Sequence, residues 1–199
     1  MNKTKKILFL TGTRADFGKI KSLISIVDEN SNFEAHVFVT GMHLQNKYGY
    51  TLIEIERCNF INVHTFENYT HETTMDLTLA KTIEGLSAYC KKIEPDMIVV
   101  HGDRVETLAG AIVGSLNNIL VAHIEGGELS GTVDELIRHS VSKLSHIHFV
   151  SNSDAAKRLV QMGEVESSIF TIGSPDIDIM FSDDIPGLET LKKYYGINF

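Results

Sequence analysis

Short, unbroken apolar runs alternate along this chain with segments whose apolar residues recur every three or four positions. The runs Ile7–Leu10, Ala35–Val39, Ile61–His64, Met97–Val100, Ile119–Ile124, Ile147–Val150 and Ile169–Ile172 are rich in Val and Ile and show little polar alternation. That is the pattern of parallel strands covered on both faces. Between them, Phe17, Ile20, Ile24 and Val27 keep a helical period, as do Met75, Leu79, Ile83, Leu86 and Cys90. Leu108, Ile112 and Leu116 continue it, followed by Ile137, Val141 and Leu144. Strand and helix in alternation, joined by right-handed crossovers, predict an α/β, doubly wound parallel sheet of Rossmann-like type. The pattern fades after Gly173-Ser174-Pro175. Residues 1–173 read as one domain. Residues 174–199 read as a linker, acidic and rich in breakers to Pro186, with a short helical start over Leu188–Tyr195.

Charge narrows the partners. The formal charge is −8, and no stretch gathers Lys and Arg into a stripe, which argues against nucleic acid. Lys3, Lys5 and Lys6 precede only the brief run Ile7–Leu10, too short for an export signal or a membrane span. Cys58 and Cys90 have no metal-type spacing, so a cytoplasmic protein with two reduced thiols is expected.

In an open parallel sheet, ligands bind outside the carboxyl ends of the strands where strand order reverses. For the order 3-2-1-4-5-6, the loops leaving strands one, four and five carry the site. The first, Thr11-Gly12-Thr13-Arg14-Ala15-Asp16-Phe17-Gly18, lacks both the dinucleotide glycine fingerprint and the phosphate loop. Gly12 permits a tight turn, Thr13 with Asp16 fits a capping box, and Arg14 offers a cation. The fourth strand opens into His101-Gly102-Asp103-Arg104, where Asp103 is either an acid/base group or a helix cap, and Arg104 is an anion partner. The fifth ends His123-Ile124-Glu125-Gly126-Gly127-Glu128 and runs through Thr132-Val133-Asp134-Glu135 to Arg138 and His139. Thr132 and Glu135 fit a second capping box, which leaves Asp134 free to face the cleft. Asp103, Glu125 and Asp134 are thus expected on one rim. His101 and His123 read as strand-end residues bonded to backbone, and His139 has Glu135 four residues earlier as a partner. His146 and His148 share a strand face without a third ligand at a recognisable spacing, so no metal is expected.

Taken in series, these loops resemble the hydrolysing branch of the UDP-N-acetylglucosamine 2-epimerase family. The likeness rests on Thr11 to Asp16, His101 to Ala109, His123 to Glu128, Asp134 to His139, Lys143 to His146, and the domain-ending Gly173-Ser174-Pro175. The Glu-Ala-Gly-Leu-Arg block and Pro-Glu-Glu element of the non-hydrolysing branch are absent. The resemblance implies the N-terminal half of a glycosyltransferase-B-type fold, with most nucleotide contacts in a second half. It implies a UDP-sugar substrate, no cofactor and a homodimer. Asp103, Glu125 and Asp134 are the implied catalytic acids, the proton-abstracting one unassigned. Arg14 and Arg104 are the implied diphosphate or acid-holding groups, with Gly12, Gly126, Gly127, Arg138 and His139 beside the substrate. The competing readings are a sugar transferase of the same architecture, a non-catalytic sugar-nucleotide sensor and a dinucleotide-binding domain.

Overall fold

The structure is a computed structural model and describes residues 4–69, 74–181 and 187–196. Seven strands form one sheet: β1 (Lys5–Thr11), β2 (Phe33–Val39), β3 (Asn62–Thr65), β4 (Met97–His101), β5 (Leu120–Ile124), β6 (Ile147–Val150) and β7 (Ile169–Thr171). Every pairing is parallel, and the order is β3-β2-β1-β4-β5-β6-β7. All seven expected runs are strands, and the order reverses between β1 and β4 as anticipated, with β7 added beyond β6.

Alternation along the strands builds a core on each face. On one side, Phe9, Val37, Val39 and Ile124 pack with Phe17, Ile20 and Ile24 of α1 (Arg14–Asp28) and Ile55 of α2 (Leu52–Glu56). On the other, Leu8, Leu10, Phe38, Ile98, Val100 and Val121 meet three helices. These are α3 (Met75–Ile93), α4 (Val105–Leu116) and α5 (Val133–Lys143). A smaller cluster of Val150, Ala155 and Leu159 seats α6 (Ser153–Gln161). A fully buried Leu or Ile contributes roughly 1.5–3 kcal/mol, so these two layers fix the sheet from which the loops project.

Beyond the sheet, residues expected as linker include α7 (Pro175–Met180), which packs on α1, and α8 (Leu188–Tyr195), where the helical start was read. The intervening breaker stretch at 182–186 lies outside the described residues. No helix among the described residues is long and apolar enough to cross a membrane, and Cys58 and Cys90 are free thiols.

Candidate active site

The loop after β1 turns sharply into α1, and the Thr13–Asp16 capping box is formed in both directions. Asp16 is buried and accepts from Thr11 Oγ1 at 2.5 Å and from the Gly12 amide at 3.0 Å. This network orients α1 so that Ala15, Asp16 and Lys19 line a pocket of about 330 Å³ at the carboxyl ends of β1, β4 and β5. Thr13 before α1, His101 at the end of β4 with Gly102, Asp103 and Arg104 after it, Glu125 after β5 and Arg138 of α5 complete the wall.

Glu125 is the electrostatic centre of the pocket. Its backbone is left-handed, with φ of 63°, a conformation that costs a non-glycine residue about 1–3 kcal/mol. Lys19 Nζ donates to both carboxylate oxygens, at 2.8 and 3.0 Å. His101 Nε2 lies 3.3 Å from Oε2, without hydrogen-bond alignment. Burial alone would raise the carboxyl, but His101 and Lys19 outweigh it and hold Glu125 at about 2. Burial likewise opposes the Lys19 charge, and Glu125 with Asp176 overcomes it, holding the ammonium above the usual lysine range.

Asp103 does not cap α4: Arg104 occupies the cap position without a side-chain bond, and the Asp103 carboxylate is instead bound by Arg138 Nη2. Arg138 Nη1 also donates to the Glu128 carbonyl at 3.0 Å, tying the Asp103 and Glu125 loops together. Arg104 stands at the pocket edge, its Nε 3.7 Å from Glu106. The remaining expected residues lie outside the pocket lining. Arg14 is 73% exposed and pairs with Glu54 of α2 at 3.0 Å. Asp134 is exposed on the first turn of α5, its carboxylate accepting from the Thr132 hydroxyl at 3.1 Å. His139 sits 3.9 Å from Glu135, the neighbour its spacing indicated. Gly12 leaves room for the Glu106 side chain, and Gly126 for His123 and Ser142. Gly127, at φ of 79°, brings the loop against the Ala155 backbone of α6.

Two local expectations are corrected. The Thr132–Glu135 box is not reciprocal, because Thr132 Oγ1 accepts from the Asp134 amide while Glu135 reaches back to the amides of Ser130 and Gly131. His101 presents its ring to Glu125 rather than to backbone, since the strand end places it directly across from the fifth loop. His123 does bond backbone, with Nε2 2.8 Å from the Gly102 carbonyl oxygen, and burial depresses it to about 3, so it is neutral. His146 Nδ1 accepts from the Val121 amide and His148 faces Glu164, so the two strand histidines take separate protein partners. Sequence reasoning missed Lys19, and Asp16 as a pocket wall. The signal available was their spacing with Ala15, which puts all three on one turn-wide face of α1.

The profile of the UDP-N-acetylglucosamine 2-epimerase family matches residues 25–197. The chain is 52% identical over 195 residues to a UDP-N-acetylglucosamine 2-epimerase of Neisseria meningitidis serogroup B, covering 98% of this chain and 52% of that protein. It is 37% identical to a hydrolysing UDP-N,N'-diacetylbacillosamine 2-epimerase of Legionella pneumophila, covering 98% of this chain and 52% of that one. Among solved structures it is similar to the Methanocaldococcus jannaschii UDP-GlcNAc 2-epimerase in complex with UDP-GlcNAc and UDP. The TM-score there is 0.75 at 27% identity, over 85% of this chain and 46% of that one. A lipopolysaccharide outer core galactosyltransferase shares the fold alone, at a TM-score of 0.62 and 12% identity over 84% of this chain and 45% of that one, as befits one half of a glycosyltransferase-B-type pair. The chain therefore spans about half the length of the relatives it matches, and by profile and identity it belongs to the UDP-N-acetylglucosamine 2-epimerase family.

Proposed function

We propose that this chain forms the acid/base half of a hydrolysing UDP-N-acetylglucosamine 2-epimerase, which converts UDP-N-acetylglucosamine and water to N-acetylmannosamine and UDP. The observation that carries the reading is the convergence of Asp103 and Glu125, from neighbouring strand ends, on one pocket with Lys19, His101 and Arg138. A C2 hydrogen on a sugar is too weakly acidic for a base to remove unaided. Departure of UDP from C1, taking the C1–O bond pair, makes C1 oxocarbenium-like, and loss of the C2 proton then gives the glycal. Return of a proton to the opposite face of C2 and of water's hydroxyl to C1 gives the inverted free sugar. Two proton-transfer groups and negative charge near C1 are needed.

The environment of each acid supports a division of labour. A carboxylate held at about 2 is a poor base, because effective proton transfer wants a value near the working pH, but it remains charged throughout. Glu125 thus suits stabilisation of positive charge at C1. Asp103 and Asp134 then exchange the C2 proton, Asp134 from the rim. Arg104, with Arg14 and His139 from the rim, faces the departing diphosphate. We read the complete enzyme as a cytoplasmic homodimer.

The Legionella relative favours a second reading, with a UDP-2,4-diacetamido-2,4,6-trideoxy sugar as substrate. Mass spectrometry of the complete protein offered each UDP-sugar in heavy-oxygen water tests both. The proposal expects free N-acetylmannosamine carrying the heavy oxygen, formed from UDP-N-acetylglucosamine without an acceptor. A product still bound to UDP refutes hydrolysis, and turnover only with a sugar acceptor indicates a transferase.

A further inference from the structure

We propose that Asp176 is a positioning residue for Glu125, acting through the Lys19 ammonium, so that α7 belongs to the active site. A lysine side chain is a compact charge on a flexible four-carbon stem, and holding its head in one place requires more than one anchor. Lys19 is only 24% exposed, and its ammonium has three N–H groups. Two of them meet the two oxygens of Glu125, at 2.8 and 3.0 Å. Asp176 Oδ2 stands 3.5 Å from the same nitrogen. Three carboxylate oxygens from two separate segments of the chain therefore lie within 3.5 Å of one ammonium nitrogen.

The placement of Asp176 comes from the fold. Its helix starts at Pro175, directly after Gly173 and Ser174, and packs on α1, the helix that carries Lys19. The contact thus links the segment beyond the sheet to the left-handed residue at the end of β5. Asp176 is itself 45% exposed and outside the pocket wall, so it acts on the reaction only through the cation it helps to fix. This inference rests on the electrostatic role assigned above to Glu125.

The test uses Lys19→Met, Asp176→Ala and the double variant in the complete protein, with two readouts. In heteronuclear NMR of lysine side-chain nitrogens, the Lys19 ammonium, identified by its loss in Lys19→Met, is expected as a slowly exchanging signal. In Asp176→Ala that signal is expected to broaden into solvent exchange. In the turnover assay, Asp176→Ala is expected to lower kcat by roughly 3- to 30-fold at nearly constant KM, the span of coupling within one salt-bridge network. In the Lys19→Met background the same change is expected to have no further effect. A Lys19 signal indifferent to Asp176→Ala overturns the proposal, as do equal losses of kcat in both backgrounds, which would mean that α7 acts by packing. If the complete protein releases no free sugar from either UDP-sugar, the functional reading falls, while the ammonium signal still decides whether Asp176 fixes Lys19.

Discussion

Glu125→Gln removes one charge while keeping side-chain size and the left-handed backbone, so it isolates the ion-pair contribution. Lys19 and His101 hold the folded carboxyl at about 2, against an ordinary value of 4.5. With the side chain only 18% exposed, that difference corresponds to about 3 kcal/mol in favour of the charged form. A carboxyl depressed in the folded state stabilises the fold fully above its unfolded value, and that stabilisation is lost as pH falls through the folded value. The wild type is therefore expected to exceed the Gln variant by up to about 3 kcal/mol at pH 7, with the gap closing between roughly pH 4.5 and 2. Urea unfolding of both proteins across this range, with slopes compared to check two-state behaviour, measures it. A gap that is absent at pH 7, or equally large at the acid end, would refute the electrostatic account of this pocket.

Other consequences are open to direct measurement. Asp103→Asn and Asp134→Asn in the complete protein are expected to lower turnover by about 10²–10⁴, with melting temperature nearly unchanged for the exposed Asp134 and lowered for Asp103, which leaves Arg138 without its carboxylate partner. Retention of more than about a tenth of wild-type turnover would remove that acid from the mechanism. Gly127→Ala would set a Cβ 2.5 Å from the Ala155 carbonyl oxygen at a φ of 79°, so a melting temperature lowered by several degrees is expected. Unchanged melting would show that the loop lifts off α6 at no cost. Burial pushes the Cys90 thiol up to about 12, so a thiol reagent should modify Cys58 and spare Cys90 until the protein unfolds. Fast modification of both in the native protein would contradict the packing of α3.

The sheet was legible because its strands are buried on both faces, and such strands must be apolar throughout: Val37, Val39, Ile98 and Val121 declare themselves without reference to the rest of the fold. Glu125 was legible for the opposite reason, since a carboxylate directly off a buried strand is more than a plain turn needs, whereas Asp103 read equally as a helix cap until the structure turned it to Arg138. Lys19 was not legible. On an amphipathic helix a lysine reads as a solvent-facing residue, and only the crossing of α1 over the β5 loop brings its ammonium to Glu125. Asp176 was hidden in the same way, because its acidity matched the composition of a linker. Asp134 and Arg14 show the converse limit. Their motifs set their places in the chain, but their side chains face Thr132 and Glu54 in this half alone.

The left-handed conformation of Glu125 bears on how such a domain changes over generations. A residue kept at positive φ against its own preference carries a backbone cost that glycine or asparagine would avoid, and at Glu125 the contacts with Lys19 and His101 offset it. Once the chemistry is no longer needed, a change to glycine there would relieve that cost but remove the very side chain around which Lys19 and His101 are arranged. A copy of this domain that has drifted to glycine at position 125 would therefore be an inert scaffold and no firmer a one. That single position would then distinguish a working member of the lineage from a retired one.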